Sequence, residues 1–113
     1  MTPNAPQRLQ ALSGLSEWDL RKALRNDRSD VVRHEAAFLL GQAAKEKIYD
    51  LQGTLDDLDT AASDSSILVR HEAALALANF KAERSVSILA RLVTDDAIEV
   101  RDSALYALVQ MAT

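Results

Sequence analysis

The chain has two histidines, His34 and His71, and each is followed directly by a glutamate, Glu35 and Glu72. Imidazole and carboxylate together are the donor set of a borderline divalent metal. With no cysteine in the sequence, any metal must rest on nitrogen and oxygen alone. Both pairs sit inside the same string, VRHEAA, at 32–37 and again at 69–74, each opening an Ala/Leu-rich run. Equivalent positions on packed neighbouring helices lie about 8–10 Å apart, and metal–nitrogen bonds are near 2.1 Å, so two such imidazoles can meet at one ion. Adjacent residues on a helix point about 100° apart, so a histidine and the glutamate after it do not both aim at one ion. Two histidines with one glutamate form the easier set, the facial triad that suits non-haem Fe(II), and the spare glutamate is then free to orient a ligand or substrate. The same residues are also an ordinary helix start, because the helix dipole favours glutamate in the first turn and tolerates histidine there. Spacing by itself leaves both readings open. No nucleophile with an adjacent base and no glycine-rich phosphate loop offers a competing chemistry.

Helices must position these residues. Apolar side chains make up 48% of the 113 residues and aromatics only 4%, so the core is built from Leu, Ala, Val and Ile, and three glycines with two prolines leave little room for hairpin turns. Pro6 suits the first turn of a short helix through Leu9 and Leu12 that Gly14 interrupts. Ser16 to Asp19 has the form of a capping box opening a helix to Asn26, with Trp18, Leu20, Ala23 and Leu24 on its buried side. Asp30 is the expected N-cap of a helix carrying Val32, Ala36, Leu39, Leu40 and Ala43. Residues Lys45 to Gly53 fit either a continuation of that helix or a loop. Leu55, Leu58 and Ala62 mark the next helix, with Asp56, Asp57 and Asp59 expected near its N-terminus. Further amphipathic runs cover Ile67 to Phe80, Val86 to Val93, and Val100 to Ala112, the last with Ala104, Leu105, Ala107, Leu108 and Met111 along one side.

A repeat organises these helices. Asp27 precedes Arg33, Asp64 precedes Arg70, and Asp95 precedes Arg101, always by six residues, and the arginines recur at intervals of 37 and 31. Periods of this size signal a solenoid whose hairpins stack to share one core, and the repeated Asp and Arg are expected to form a ladder between adjacent turns. The expected fold is all-α, a short α-solenoid of about three helical hairpins in a single domain 1–113. Residues 1–15 form a tail and short helix, and 16–44, 45–80 and 81–113 form the repeats. A net charge of −4 and a pI near 5.1 weigh against nucleic acid as a partner. No charged-then-apolar leader opens the sequence and no apolar run approaches the roughly 18–20 residues of a membrane span, so the expectation is a soluble cytoplasmic protein with no membrane partner.

The unit lengths, the D-x5-R spacing and the VR-x-x-A-A helix opening resemble HEAT-like repeats of the phycobilisome-lyase type. More closely, RHEAAFLLGQ at 33–42, LVRHEAALAL at 68–77 and DDAIEVRDSA at 95–104 resemble, in order, one half of the deoxyhypusine hydroxylase family. The resemblance implies a HEAT-like di-iron monooxygenase in which two similar halves each supply two His-Glu pairs to a central site, and which uses O2 to hydroxylate a side chain of a protein partner. It further implies that His34, His71 and Glu72 are the iron ligands of one half, with Glu35 as the catalytic residue nearer the substrate. This sequence carries two His-Glu pairs where that family carries four, and the third unit has Asp102 and Ser103 in their place. A homodimer would restore the missing half, and the absence of a polar capping repeat after Met111 favours pairing. The alternative is a non-catalytic HEAT-repeat scaffold for protein interaction.

Overall fold

The computed structural model describes residues 2–113, which form seven α-helices and no strand. The first helix, α1 (Ala5–Ala11), opens with a reciprocal cap: the Gln7 N–H donates to the Asn4 side chain and the Asn4 N–H to the Gln7 side chain, each at 2.9 Å. A 3₁₀ turn at Leu12–Gly14 leads to α2 (Glu17–Asn26), where Ser16 accepts the Asp19 N–H at 3.2 Å. Trp18 departs from expectation. Leu20 and Leu24 make the buried stripe of α2, and a residue two before Leu20 lies about 200° round the helix, on the opposite face. The residue is 63% exposed, and its ring stacks on the Arg21 guanidinium, 4.6 Å from the ring centroid.

Helix α3 (Asp30–Ala43) is capped by Ser29, whose hydroxyl accepts the Val32 N–H, and not by Asp30; Asp30 instead accepts a hydrogen bond from the Ser66 hydroxyl at 2.9 Å. The ambiguous segment does not continue that helix: a turn at 44–46 and irregular chain at 47–50 separate it from the next helix, which takes up the last residues of the segment, Leu51 to Gly53. Glu17 of α2 takes the N–H groups of Tyr49 and Asp50 at 2.8 and 2.9 Å, and Asp50 caps α4 (Leu51–Ala61) through the Gly53 N–H. Because the start signal is Asp50, the acids expected at the helix N-terminus fall one to two turns inside it. Asp57 there is buried and binds Arg21 at 2.6 Å and Arg25 at 2.7 Å. Helix α5 (Ile67–Leu77) tightens to a 3₁₀ turn at Ala78–Phe80, and α6 (Glu83–Leu92) and α7 (Ile98–Ala112) complete the described residues.

Helices α3, α5 and α7 pack one on the next as an inner layer, α1 abuts α3, and α2, α4 and α6 form an outer layer. The all-α solenoid expected from the repeat is therefore present. Its inner layer is closely packed because the facing positions are small: Ala36, Ala37, Ala73, Ala74, Ala104 and Ala107 are all fully buried. Gly41 is the closest approach. A Cβ there would lie 2.9 Å from both Cα and Cβ of Ala76, and the backbone atom has no side-chain rotation by which to yield. Gly41→Ala is expected to lose about 1–2 kcal/mol in urea unfolding, overpacking outweighing the better helix propensity of alanine. Gly14→Ala, with open space around the new methyl, serves as the unaffected control.

The ladder is built from turns. The arginine is the fourth residue of every inner-layer helix: Arg8, Arg33, Arg70 and Arg101. Arg8 forks onto Asp27 at 2.8 and 3.0 Å, Arg33 onto Asp64 at 2.9 and 3.1 Å, and Arg70 onto Asp95 at 3.1 Å through both nitrogens. Each aspartate also takes the N–H two residues later, at Ser29, Ser66 and Ala97, and its backbone carbonyl accepts from the arginine of its own unit. Arg8 was not expected in this series; α1 occupies the place of an inner helix ahead of the first full hairpin. Arg101 donates only to the Asp95 and Asp96 carbonyls, and among the described residues it has no carboxylate partner. The end of the stack is apolar as well. Leu105 corresponds to Ala37 and Ala74, which the next hairpin covers completely, and among the described residues it is 52% exposed beside Ile98, Tyr106 and Val109.

The Arg8 hydrogen bonds hold the Asp27 carboxyl below the usual range against opposing burial, with the Ser29 N–H assisting. At Asp95 burial works to raise the pKa and is outweighed by Arg70 and the Ala97 N–H. For a carboxylate whose folded pKa is depressed, stabilisation is complete above the unfolded pKa, about 3.9, and disappears as pH falls through the folded value. These carboxylates are therefore expected to withdraw stabilisation as pH falls below about 4. Asp27→Asn should flatten that acid limb in a pH series of urea titrations.

Candidate functional site

The His-Glu residues lie in the second turn of α3 and α5, directly after the ladder arginines, so the ladder fixes their height along neighbouring helices. His34 reaches across to α5, where its Nε2 lies 3.2 Å from Oε2 of Glu72. The Glu72 side chain is 9% exposed and that of His34 26%. His71 makes the corresponding reach to α7, but through its other nitrogen: Nδ1 is 2.5 Å from the Ser103 hydroxyl. A histidine on one inner helix thus meets the residue one place later in the motif on the next helix, Glu72 in one case and Ser103 in the other.

Two of the three expected ligands, His34 and Glu72, are therefore in contact, while His71 turns to α7 and Glu35, half-buried on α3, joins neither contact. Among the described residues no group of three or more His, Asp or Glu side chains is gathered closely enough to hold a metal ion. The donor types alone, two imidazoles and a carboxylate on adjacent helices, are those a divalent ion takes. A groove of about 670 Å3 lies elsewhere, among the ladder and outer-layer residues Arg25, Asp27, Arg33, Asp57, Asp64 and Arg91, and includes none of the four.

Sequence reasoning missed Ser103. It stands at the glutamate position of the third unit and reads as a lost motif there. The signal that finds it is the offset between helices, histidine of one unit to the following position of the next, which a comparison within each unit does not show.

A family model for HEAT repeats matches residues 6–109. No curated protein matches the sequence. Among solved structures the chain is similar to human deoxyhypusine hydroxylase, determined in complex with glycerol, with 26% identity and a TM-score of 0.73 over 85% of this chain and 32% of that one. The chain thus spans about a third of that enzyme's length. No helix among the described residues is long and apolar enough to cross a membrane.

Proposed function

The chain belongs to the HEAT-repeat family, and from that premise we propose that it is an iron-binding module of the deoxyhypusine hydroxylase type, paired as a homodimer and acting on a side chain of a protein partner. The observation that carries this reading is the contact between His34 Nε2 and Glu72 Oε2 across α3 and α5. It joins two ligands of the implied set at the place where the HEAT stack itself has no need of a polar pair, since Val100, Arg101 and Ala104 keep the packing pattern without it.

In this reading His34, His71 and Glu72 hold the metal. Bound iron would supply O2 activation, one oxygen atom entering a substrate C–H bond and the other leaving as water with two electrons from an external reductant. The remaining work belongs to the protein. Glu35, one position after His34, offers a carboxylate to a protonated amine of the substrate and so orients it. The buried alanines behind the row keep the two helices at a fixed separation. A twofold axis brings the second copy's row opposite the first, supplying as many His-Glu pairs as the two-half enzyme.

Elemental analysis combined with solution mass tests the proposal on protein expressed with added iron. About one iron per chain in a dimer supports it; a metal-free monomer overturns it. A second reading, an interaction scaffold without metal, is favoured by the exposed apolar face of Ile98, Leu105, Tyr106 and Val109 on α7. It requires partner capture to be indifferent to substitution of both histidines.

A further inference from the structure

Ser103 is buried on α7, and its hydroxyl has two neighbours: the carbonyl of Glu99 at 2.7 Å and Nδ1 of His71 at 2.5 Å. A hydroxyl has one proton to give. The carbonyl oxygen can only accept, so the Ser103 proton goes to Glu99, one turn back along the helix, and the hydroxyl oxygen is left to accept from the ring. His71 must then carry its proton on Nδ1. A neutral imidazole protonated there has its lone pair on Nε2, the nitrogen that remains for a metal.

His34 stands in the opposite condition. Its Nε2 faces the Glu72 carboxylate, which only accepts, so in the metal-free chain that nitrogen carries the proton. The two histidines of one repeated string are thus held in different tautomers by different partners. The cause is the replacement of glutamate by serine in the third unit. A short hydroxyl, anchored to its own helix, takes the near nitrogen of the ring where a longer carboxylate takes the far one.

We propose that Ser103 is a positioning residue for the metal site: it fixes His71 in the Nδ1–H tautomer and so leaves Nε2 ready to ligate. This rests on the iron-binding reading above but is measurable without it. Histidine nitrogens are assigned by long-range proton–nitrogen correlation spectra on labelled, metal-free protein at a pH where both rings are neutral. The expected wild-type result is Nδ1–H at His71 and Nε2–H at His34. Ser103→Ala should release His71 from that tautomer with helical content unchanged, and Ser103→Thr, which keeps the hydroxyl, should retain it. Titration with Co(II), followed by its visible absorption, should show affinity about 10- to 100-fold weaker in Ser103→Ala, the scale of losing a hydrogen-bond partner behind a metal-bound histidine. Nε2–H at His71 in the wild-type chain overturns the proposal, as does an unchanged tautomer in Ser103→Ala. If the expected tautomers appear but wild type takes up no Co(II), the iron reading fails, and the metal role of Ser103 with it, on a separate measurement.

Discussion

Alanine at His34 is expected to abolish the proposed iron binding, lowering affinity by more than about 100-fold, beyond the loss typical of residues one shell further out. Two features make the effect large. His34 is one of only two imidazoles in the chain, so no other can replace it. It also lies against Glu72, so its removal leaves a nearly buried carboxylate without its neighbour. His71→Ala and Glu72→Gln are expected to match it, the latter preserving side-chain shape where the side chain is 9% exposed. Circular dichroism should remain helical throughout, because the layer is held by Val32, Ala36, Val69 and Ala73 behind the motif. Iron retained at full stoichiometry in either histidine variant would sink the metal reading.

The largest expected loss of stability comes from the ladder. Asp64→Ala removes both acceptors of the Arg33 fork and the cap on the Ser66 N–H in one step, leaving a guanidinium whose side chain is 15% exposed without its hydrogen-bonded carboxylate. Truncating one partner of a fully buried pair costs about 3–5 kcal/mol, and partial exposure reduces this to about 2–4 kcal/mol. That is a large share of the roughly 5–15 kcal/mol that holds a domain of this size. Arg101→Ala supplies the contrast. With only carbonyls to donate to, Arg101 is expected to contribute less than about 0.5 kcal/mol, the range of ordinary surface substitutions. Equal effects from the two variants in urea unfolding would remove the ladder as a source of stability.

Much of this architecture can be read from the chain because the repeated residues act locally. An aspartate six residues before an arginine encodes a turn and the first turn of the helix after it, and both partners of every full unit are visible in one segment. Arg8 escapes that pattern because its own unit has Thr2 at the aspartate position, so only its onward contact to Asp27 reveals it. Trp18 misleads because aromatic character suggests burial while the phase of α2, set by Leu20 and Leu24, turns the ring outward. The acids of α4 mimic a helix start because Asp50, the true cap, sits in a stretch whose conformation depends on Glu17, more than thirty positions earlier. The candidate site was half visible for the same reason. His34, His71 and Glu72 announce themselves by repetition, but the contacts that separate their roles run between units, and Ser103 carries meaning only once α5 and α7 are side by side.

Every rung joins a guanidinium from an earlier turn to a carboxylate from a later one, so the stack has a reading direction. Each unit contributes one half of two joints, a carboxylate facing back and a guanidinium facing forward. A unit copied in tandem therefore brings matching halves for both of its neighbours, whereas one inserted in reverse would set like charge against like. Lengthening by duplication needs no compensating substitution at the seams. The two positions after each ladder arginine lie just outside those seams, so they can diverge unit by unit, to His-Glu or to Asp102 and Ser103, while the joints stay the same.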